Sequence, residues 1–425
     1  MKVIIMAGGK GTRIASIAND IPKPMIPVNG KTILEYQIDC LKKNNLTEIT
    51  LVIGHLGEKI KDYFGDGLRF GCQISYYTET EPLGTAGALF KLNKLNEDFI
   101  LLNGDIIFDL DFRRMIDFHR QKKSSVTLAV HPNNHPFDSS IIQTNSNCEV
   151  TGWLNKEDER TYYKNLVNAG IHIISPSFLE NFSLTKEKVD LDRDLLKPSI
   201  QSGCIFAYHT PEYIKDMGTP ERYDQVSLDI KSGIVAKKNL SNTQRCVFLD
   251  RDGTINKFNG FITRPEDFCL IDGAAEAIKK INRSAYLAIV ITNQPVIARG
   301  EVEVETLNLI HMKMETELGK NHAYIDDLFY CPHHPDSGFP GERPKFKIEC
   351  NCRKPKPGML LEAAEKYNID LSNSYMVGDD MRDVNAGIAA GCIPVLLGEK
   401  DIDVLQYSSL LEFAESCLLG DEAVE

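Results

Sequence analysis

Short β-branched runs alternate with amphipathic stretches along this chain, and the alternation runs twice. Val3-Ile4-Ile5-Met6, Ile49-Thr50-Leu51-Val52-Ile53, Phe99-Ile100-Leu101-Leu102 and Val126-Thr127-Leu128-Ala129-Val130 read as strands, with helical stretches such as residues 33–44 between them. The pattern stops in a polar, aperiodic segment at 236–245 and restarts with Cys246-Val247-Phe248-Leu249. It continues through Leu287-Ala288-Ile289-Val290-Ile291, Tyr375-Met376-Val377 and Ile393-Pro394-Val395-Leu396-Leu397. A chain of 425 residues has room for two or three domains at about 150 residues each. The doubled alternation predicts an α/β protein of two domains, each a mostly parallel sheet flanked by helices, at 1–235 and 246–425 with 236–245 as linker.

Charge narrows the partners. The 60 Asp+Glu against 48 Lys+Arg leave a net charge of −12, which disfavours broad binding to nucleic acid or to a membrane surface. Phosphorylated small molecules need only a few well-placed donors, so they stay in play. No apolar run approaches the ~20 residues that cross a bilayer. The apolar start at residues 3–7 is too short for a signal peptide and leads straight into glycines. The 11 cysteines are read as those of a reduced, cytoplasmic chain. The oligomeric state, a homo-oligomer included, stays open at this level.

Ala7-Gly8-Gly9-Lys10-Gly11-Thr12-Arg13 follows the first strand. Its glycines let backbone N–H groups approach phosphate oxygens, but the spacing fits neither a P-loop nor a dinucleotide-binding fingerprint. Pro22-Lys23-Pro24 then pins a lysine between two residues of fixed φ, suiting Lys23 to a second anionic contact. Glu81-Pro82-Leu83-Gly84-Thr85-Ala86-Gly87 is another glycine-rich approach. Leu101-Leu102-Asn103-Gly104-Asp105 ends a strand in a carboxylate, placed where α/β sheets bind ligands and metals. With Asn168-Ala169-Gly170 and Asp216-Met217-Gly218-Thr219-Pro220-Glu221, the set resembles sugar-1-phosphate nucleotidyltransferases over residues 1–235. The stretch 20–30 looks most like heptose 1-phosphate guanylyltransferases. The resemblance implies a Rossmann-like domain in which Gly8, Gly9, Gly11, Thr12, Gly84 and Thr85 hold a nucleotide, with GTP as donor. It also implies Arg13 on the β/γ-phosphates, Lys23 at the α-phosphate, Asp105 and Asp216 on Mg²⁺, and Asn168 and Gly170 at the sugar. The chain departs from the family pattern at Ile14-Ala15-Ser16-Ile17 and at Asn155-Lys156.

In the second half, Asp250-Arg251-Asp252-Gly253-Thr254 leaves a strand with two carboxylates on one face. Such a pair favours a shared cation and can divide nucleophilic and proton-transfer work. Thr292 and Asn293 end another strand with groups suited to phosphate oxygens, Lys354 offers balancing charge, and Asp379 and Asp380 end a third strand. Cys331-Pro332-His333-His334 and Cys350-Asn351-Cys352 supply four soft or borderline ligands, suiting a closed, structural Zn²⁺ with His333 or His334 completing the set.

In order, these motifs resemble those of haloacid-dehalogenase-type (HAD) phosphatases across 245–400. The Cys-x-His and Cys-x-Cys loop, with residues 292–300 and 352–360, resembles heptose 1,7-bisphosphate phosphatases. That resemblance implies a Rossmannoid domain with a zinc-binding loop. Asp250 would be the nucleophile and Asp252 the general acid/base. Mg²⁺ would lie on Asp250, the Asp252 carbonyl and Asp379, with Asp380 acting through water. Zn²⁺ would lie on Cys331, His333, Cys350 and Cys352, and Arg299 and Arg353 would hold the phosphate that is not cleaved. Pro295-Val296 replaces the small pair usual in this family. Together the halves imply consecutive steps, from heptose 1,7-bisphosphate to heptose 1-phosphate and on to GDP-heptose. The alternative is a mannose-1-phosphate or other sugar-1-phosphate nucleotidyltransferase joined to a histidinol-phosphatase-like domain.

Overall fold

In the computed structural model the described residues are 1–9, 20–92, 95–183, 187–258 and 260–418. The chain divides into two compact units, the first made of Met1–His131, Ile142–Leu154 and Val167–Asn239. The second comprises Leu240–Glu425 together with Pro132–Ile141 and Asn155–Leu166, so two excursions from the first half of the sequence group with the second unit. No described helix is long and apolar enough to cross a membrane.

The first unit is built on a nine-stranded mixed sheet. Its strands are β1 (Val3–Met6), β2 (Glu48–Ile53), β3 (Gln73–Thr78), β4 (Phe99–Asn103), β5 (Val126–His131), β6 (Ile141–Thr144), β7 (Val150–Leu154), β8 (Val167–Ile174) and β9 (Ile205–His209). The order is β7–β6–β8–β4–β1–β2–β3, with β5 pairing both β8 and β9. β4, β1, β2 and β3 run parallel, and the pairs Met6–Asn103, Met6–Val52 and Ile53–Thr78 align their carboxyl ends. The turns after these strands, carrying Gly8, Gly54, Glu79 and Asp105, therefore share one edge.

The helix α1 (Ile33–Lys43) packs against this sheet because its apolar face repeats at helical spacing, burying Leu34, Ile38 and Leu41. A reciprocal capping box between Thr32 and Glu35 fixes its start, and Lys42 and Lys43 suit the negative end of its dipole. Ile106–Asp109 and Tyr213–Asp216 form a separate antiparallel ribbon in which Asp216 pairs with Ile106.

The second unit has a six-stranded, all-parallel sheet. Its strands are β10 (Arg245–Leu249), β11 (Tyr286–Asn293), β12 (Asp327–Cys331), β13 (Tyr375–Gly378), β14 (Ile393–Leu397) and β15 (Leu405–Tyr407), in the order β12–β11–β10–β13–β14–β15. Both faces are covered, so the central strands are apolar throughout: Val247 and Leu249 enter one core, Cys246 and Phe248 the other. The segment read as a linker carries the end of a short helix, Ile234–Lys237, and the first strand residue, Arg245. The chain passes from one unit to the other between Asn239 and Leu240.

Candidate active sites and a candidate metal centre

At the carboxyl edge of β1–β4 lies a cleft of about 920 Å³, lined by Gly8, Lys23, Glu79, Gly84, Thr85 and Asp105 among others. Lys23 starts a short 3₁₀ turn, Lys23–Met25, set by the flanking prolines, and its ammonium contacts Asp105 Oδ2 at 2.5 Å. Gly84 has φ +84°, and a Cβ there would sit 2.3 Å from the carbonyl oxygen of Val189. Thr85 Oγ1 accepts from the Leu191 N–H at 2.7 Å, docking the glycine-rich turn onto residues 189–191. The ribbon brings the backbone of Asp216 beside Asp105, with Met217 N donating to Asp105 O. The Asp216 carboxylate is held by Arg222 at 2.7 and 2.8 Å.

Gly170 (φ +70°) leaves space that the Asn103 amide occupies, since a Cβ would lie 2.3 Å from Asn103 Nδ2. The Asn168 side chain accepts from the Gly170 N–H and also bonds Asp192, whose carboxyl is pushed up to about 6 chiefly by burial. Gly11, Thr12 and Arg13 lie outside the described residues. Two cleft residues, Glu79 and Lys188, were not singled out from the sequence, because neither stands in a motif with a chemical signature. Burial raises the Glu79 carboxyl above its ordinary range, partly offset by a hydrogen bond from the Leu83 N–H.

The second cavity, about 230 Å³, is lined by Asp250, Thr292, Asn293, Arg299, Lys354 and Asp379 among others. Lys354 is 3 % exposed, and its ammonium meets Asp250 Oδ1 at 2.8 Å, Asp383 Oδ1 at 2.7 Å and Ile291 O at 2.7 Å. Burial works against that ammonium, but the two carboxylates outweigh it and raise its pKa, keeping it charged. Burial pushes Asp250 up, while Lys354 pulls against the rise. The Asn293 amide exchanges two hydrogen bonds with the Lys354 backbone, both 3.0 Å, which ties the lysine loop to the end of β11.

Oxygen atoms of Asp250, Asp379 and Asp383 lie within 4.8 Å of one another, a hard-oxygen set that fits a divalent cation. Glycines make the room. A Cβ on Gly253 (φ +89°) would be 2.1 Å from Asp379 Oδ2, and one on Gly378 would be 2.2 Å from Asp383 Oδ2. Asp380 instead caps the helix α5 (Met381–Ala390), after α2 (Pro220–Lys231), α3 (Val304–Lys320) and α4 (Gly358–Tyr367), and accepts from Arg382. The Asp252 carboxylate stands apart from the acidic set. It accepts from fully buried Arg251 at 2.8–3.1 Å, from Asn256 at 3.0 Å and from Gln294 at 2.8 Å. Arg299 lies between the rings of Phe261 and Phe339, 4.6 and 4.4 Å from their centroids, with His334 3.5 Å away.

The thiols of Cys331, Cys350 and Cys352 and Nδ1 of His333 form a second group within 4.8 Å. Sulfur–sulfur separations of 3.2–3.5 Å exclude disulfides and approach the ~3.8 Å edge of a tetrahedron around zinc. His333 joins the thiols, and His334 turns to Arg299.

The family model described as nucleotidyl transferase matches residues 2–233, and the one described as HAD-hydrolase-like matches 351–406. A D-glycero-beta-D-manno-heptose-1,7-bisphosphate 7-phosphatase of Vibrio cholerae is 43% identical over 145 residues, 34% of this chain and 76% of that protein. A UTP--glucose-1-phosphate uridylyltransferase of Synechocystis is 32% identical over 221 residues, 48% of this chain and 57% of that protein. Among solved structures, HddC from Yersinia pseudotuberculosis is 26% identical, covers 54% of this chain and 99% of its own, and has a TM-score of 0.47. With both sites described, the chain is an enzyme combining a nucleotidyltransferase domain with a HAD-type phosphatase domain. It belongs to the nucleotidyl transferase family through its first half and to the heptose-1,7-bisphosphate 7-phosphatase family through its second.

Proposed function

We propose that the enzyme removes the 7-phosphate of D-glycero-D-manno-heptose 1,7-bisphosphate and then transfers GMP from GTP to the resulting heptose 1-phosphate, giving GDP-D-glycero-α-D-manno-heptose and pyrophosphate. The observation that carries the first step is the Lys354–Asp250 pair. A buried ammonium 2.8 Å from a carboxylate at a strand end equips that carboxylate to attack phosphorus and neutralises charge as it develops. In the chemistry assigned here, an Asp250 oxygen bonds to phosphorus as the ester P–O bond breaks, and Asp252 gives its proton to the departing oxygen. Water then cleaves the aspartyl phosphate while Asp252 takes a proton. Arg299 and Arg353 line the same cavity and offer positive charge to the phosphate that stays. Thr292 and Asn293 orient the phosphate that leaves.

In the second step, an oxygen of the sugar phosphate attacks the α-phosphorus of GTP and pyrophosphate departs. No protein nucleophile is needed, so the cleft works by positioning and charge. Lys23 balances the α-phosphate, Gly8, Gly9, Gly84 and Thr85 admit the nucleotide backbone closely, and Asn168 and Gly170 face the sugar. Asp105 and Asp216 would hold Mg²⁺ in this unit, and Asp250, Asp379 and the Asp252 carbonyl in the other; the ion supplies charge neutralisation. The Cys331, His333, Cys350 and Cys352 set would hold a structural Zn²⁺.

The test supplies heptose 1,7-bisphosphate, Mg²⁺ and each nucleoside triphosphate in turn, following phosphate and pyrophosphate. Phosphate should precede pyrophosphate. Asp250→Asn should abolish phosphate release yet transfer GMP to added heptose 1-phosphate, and Asp105→Ala should do the reverse. Loss of both activities in either variant would contradict two independent sites.

A further inference from the structure

We infer that Arg382 is a further guanidinium for the phosphate that is not cleaved, and that it makes the phosphatase cavity select bisphosphates over monophosphates. The inference rests on the phosphatase reading of the second unit and deepens it by assigning a specificity-determining contact outside the motifs of that unit.

The charges that line this cavity fall into two groups. In the first, Asp250, Asp379 and Asp383 face the ammonium of Lys354 and the divalent cation that their oxygens fit. Three carboxylates against one ammonium and a doubly charged ion leave nothing over. Asp252 is matched in the same way by the fully buried Arg251. The second group is Arg299, Arg353 and Arg382, and the described lining residues set only Asp380 against it. Glu301 stands 3.9 Å from Arg299 outside the lining. Gathering guanidiniums this way costs free energy unless an anion comes among them.

Two of the three arginines are already held. Arg299 is stacked between Phe261 and Phe339, and Arg353 Nη1 donates to the His333 carbonyl oxygen at 3.1 Å. Burial lowers the pKa of the Arg353 guanidinium, and the like charges of Arg382 and Arg299 lower it further, so both lie within electrostatic reach of it. All three stay protonated, because a guanidinium does not give up its charge in a protein. Arg382 is the least restrained. It stands in the first turn of α5 with its side chain 55 % exposed, and its Nε donates to Asp380 Oδ1 at 2.9 Å. Among the described residues neither Nη group of Arg382 has a hydrogen-bond partner. Asp380 therefore aims the side chain and leaves free an edge whose two N–H groups match two phosphate oxygens.

Placement in the sheet says which phosphate that edge meets. The phosphate that reacts belongs at Asp250 against Lys354, which is nearly inaccessible to solvent, so the rest of the substrate points toward the exposed rim. Strand order β11–β10–β13 sets Arg299, which follows β11, and Arg382, which follows β13, on opposite sides of Asp250, which follows β10. A substrate extending outward from Asp250 passes between cations, and a second phosphate on it gathers them. A monophosphate brings no charge to that end.

The experiment measures phosphate release by the full-length protein and by Arg382→Ala and Arg382→Lys. The substrates are heptose 1,7-bisphosphate and heptose 7-phosphate, which carries the same reacting ester without the second phosphate. The wild type should prefer the bisphosphate in kcat/KM. In Arg382→Ala that preference should fall about 10- to 100-fold, the size of a lost hydrogen bond between charged groups, and the loss should lie in the KM for the bisphosphate rather than in kcat. Arg382→Lys keeps the charge without the fork and should recover part of the preference. The side chain is exposed, and the capping box of Asp380 and Asp383 does not use it, so α5 keeps its start in both variants. Equal use of the two substrates by the wild type would overturn the assignment. So would an unchanged preference in Arg382→Ala, including a loss shared by both substrates, which would place the effect at Asp250 through the Asp380 carboxylate set free. Phosphate release from neither substrate by the wild type would overturn the phosphatase reading, and the inference with it.

Discussion

Asp383 holds Lys354: its Oδ1 lies 2.7 Å from the ammonium, presented by the first turn of α5 and given room by the missing side chain of Gly378. Lys354 thus sits between two carboxylates, and Asp383 orients the charge that meets Asp250. Asp383→Asn keeps the shape and removes the charge. Turnover of phosphate release should fall about 10- to 100-fold, and the Mg²⁺ concentration for half-maximal rate should rise. Steady-state assays across a Mg²⁺ titration check both, and unchanged values would make the contact incidental to the reaction.

That carboxylate shows what a sequence conceals. Strand ends were legible because apolar runs stop just before Asp105, Asp250 and Asp379, and two α/β sheets follow from the alternation, although the antiparallel strands that make the first sheet mixed do not. Asp383 lies four residues past Asp379 on a helix, so it faces the same pocket only once that helix is docked. The neighbouring Asp380 carried the better local signal yet serves as a helix cap. Gln294 reaches Asp252 from the end of another strand, which only the folded sheet brings near, whereas Asn256 reaches it from four residues along the same loop. The excursions 132–141 and 155–166 were illegible for a related reason: which unit a loop joins depends on packing against distant residues, not on its own composition.

The zinc set makes a prediction independent of catalysis. In Cys350→Ser the group loses one of its three thiolates. Metal analysis should show about one zinc per chain in the wild type and a large loss in the variant. The unfolding midpoint should fall by several degrees, because the Pro- and Gly-rich loop at 336–344 has little apolar surface to order it without the metal. Full zinc retention in Cys350→Ser would remove that cysteine from the ligand set.

Gly84→Ala tests the backbone of the nucleotide cleft. An added Cβ would lie 2.3 Å from the Val189 carbonyl oxygen, at a φ of +84° that alanine adopts only with strain. The turn must shift, carrying Thr85 off Leu191. The KM for the nucleotide should rise at least ~10-fold, since such a displacement misaligns a bound reactant. Initial-rate measurements at varied nucleotide concentration would expose a cleft that tolerates the change.

Glu315 gives the second unit a pH-dependent stability. This α3 carboxyl is 6 % exposed, and burial raises its pKa to about 7 against the pull of Lys164 and a 2.7 Å hydrogen bond from the Asn165 N–H. The unfolded chain releases this proton near 4.5, the native state near 7. Between those values the native state binds more protons than the unfolded one, so stability falls as pH rises and is fully lowered above about 7. At ~1.36 kcal/mol per unit the limit is about 3 kcal/mol. Glu315→Gln keeps an acceptor for Asn165 and removes the titration, so the variant should gain on the wild type between pH 5 and pH 8, whatever its offset at pH 5. Thermal or urea unfolding across that range measures the gap, and a gap that stays flat would show that the buried carboxyl titrates as an ordinary one.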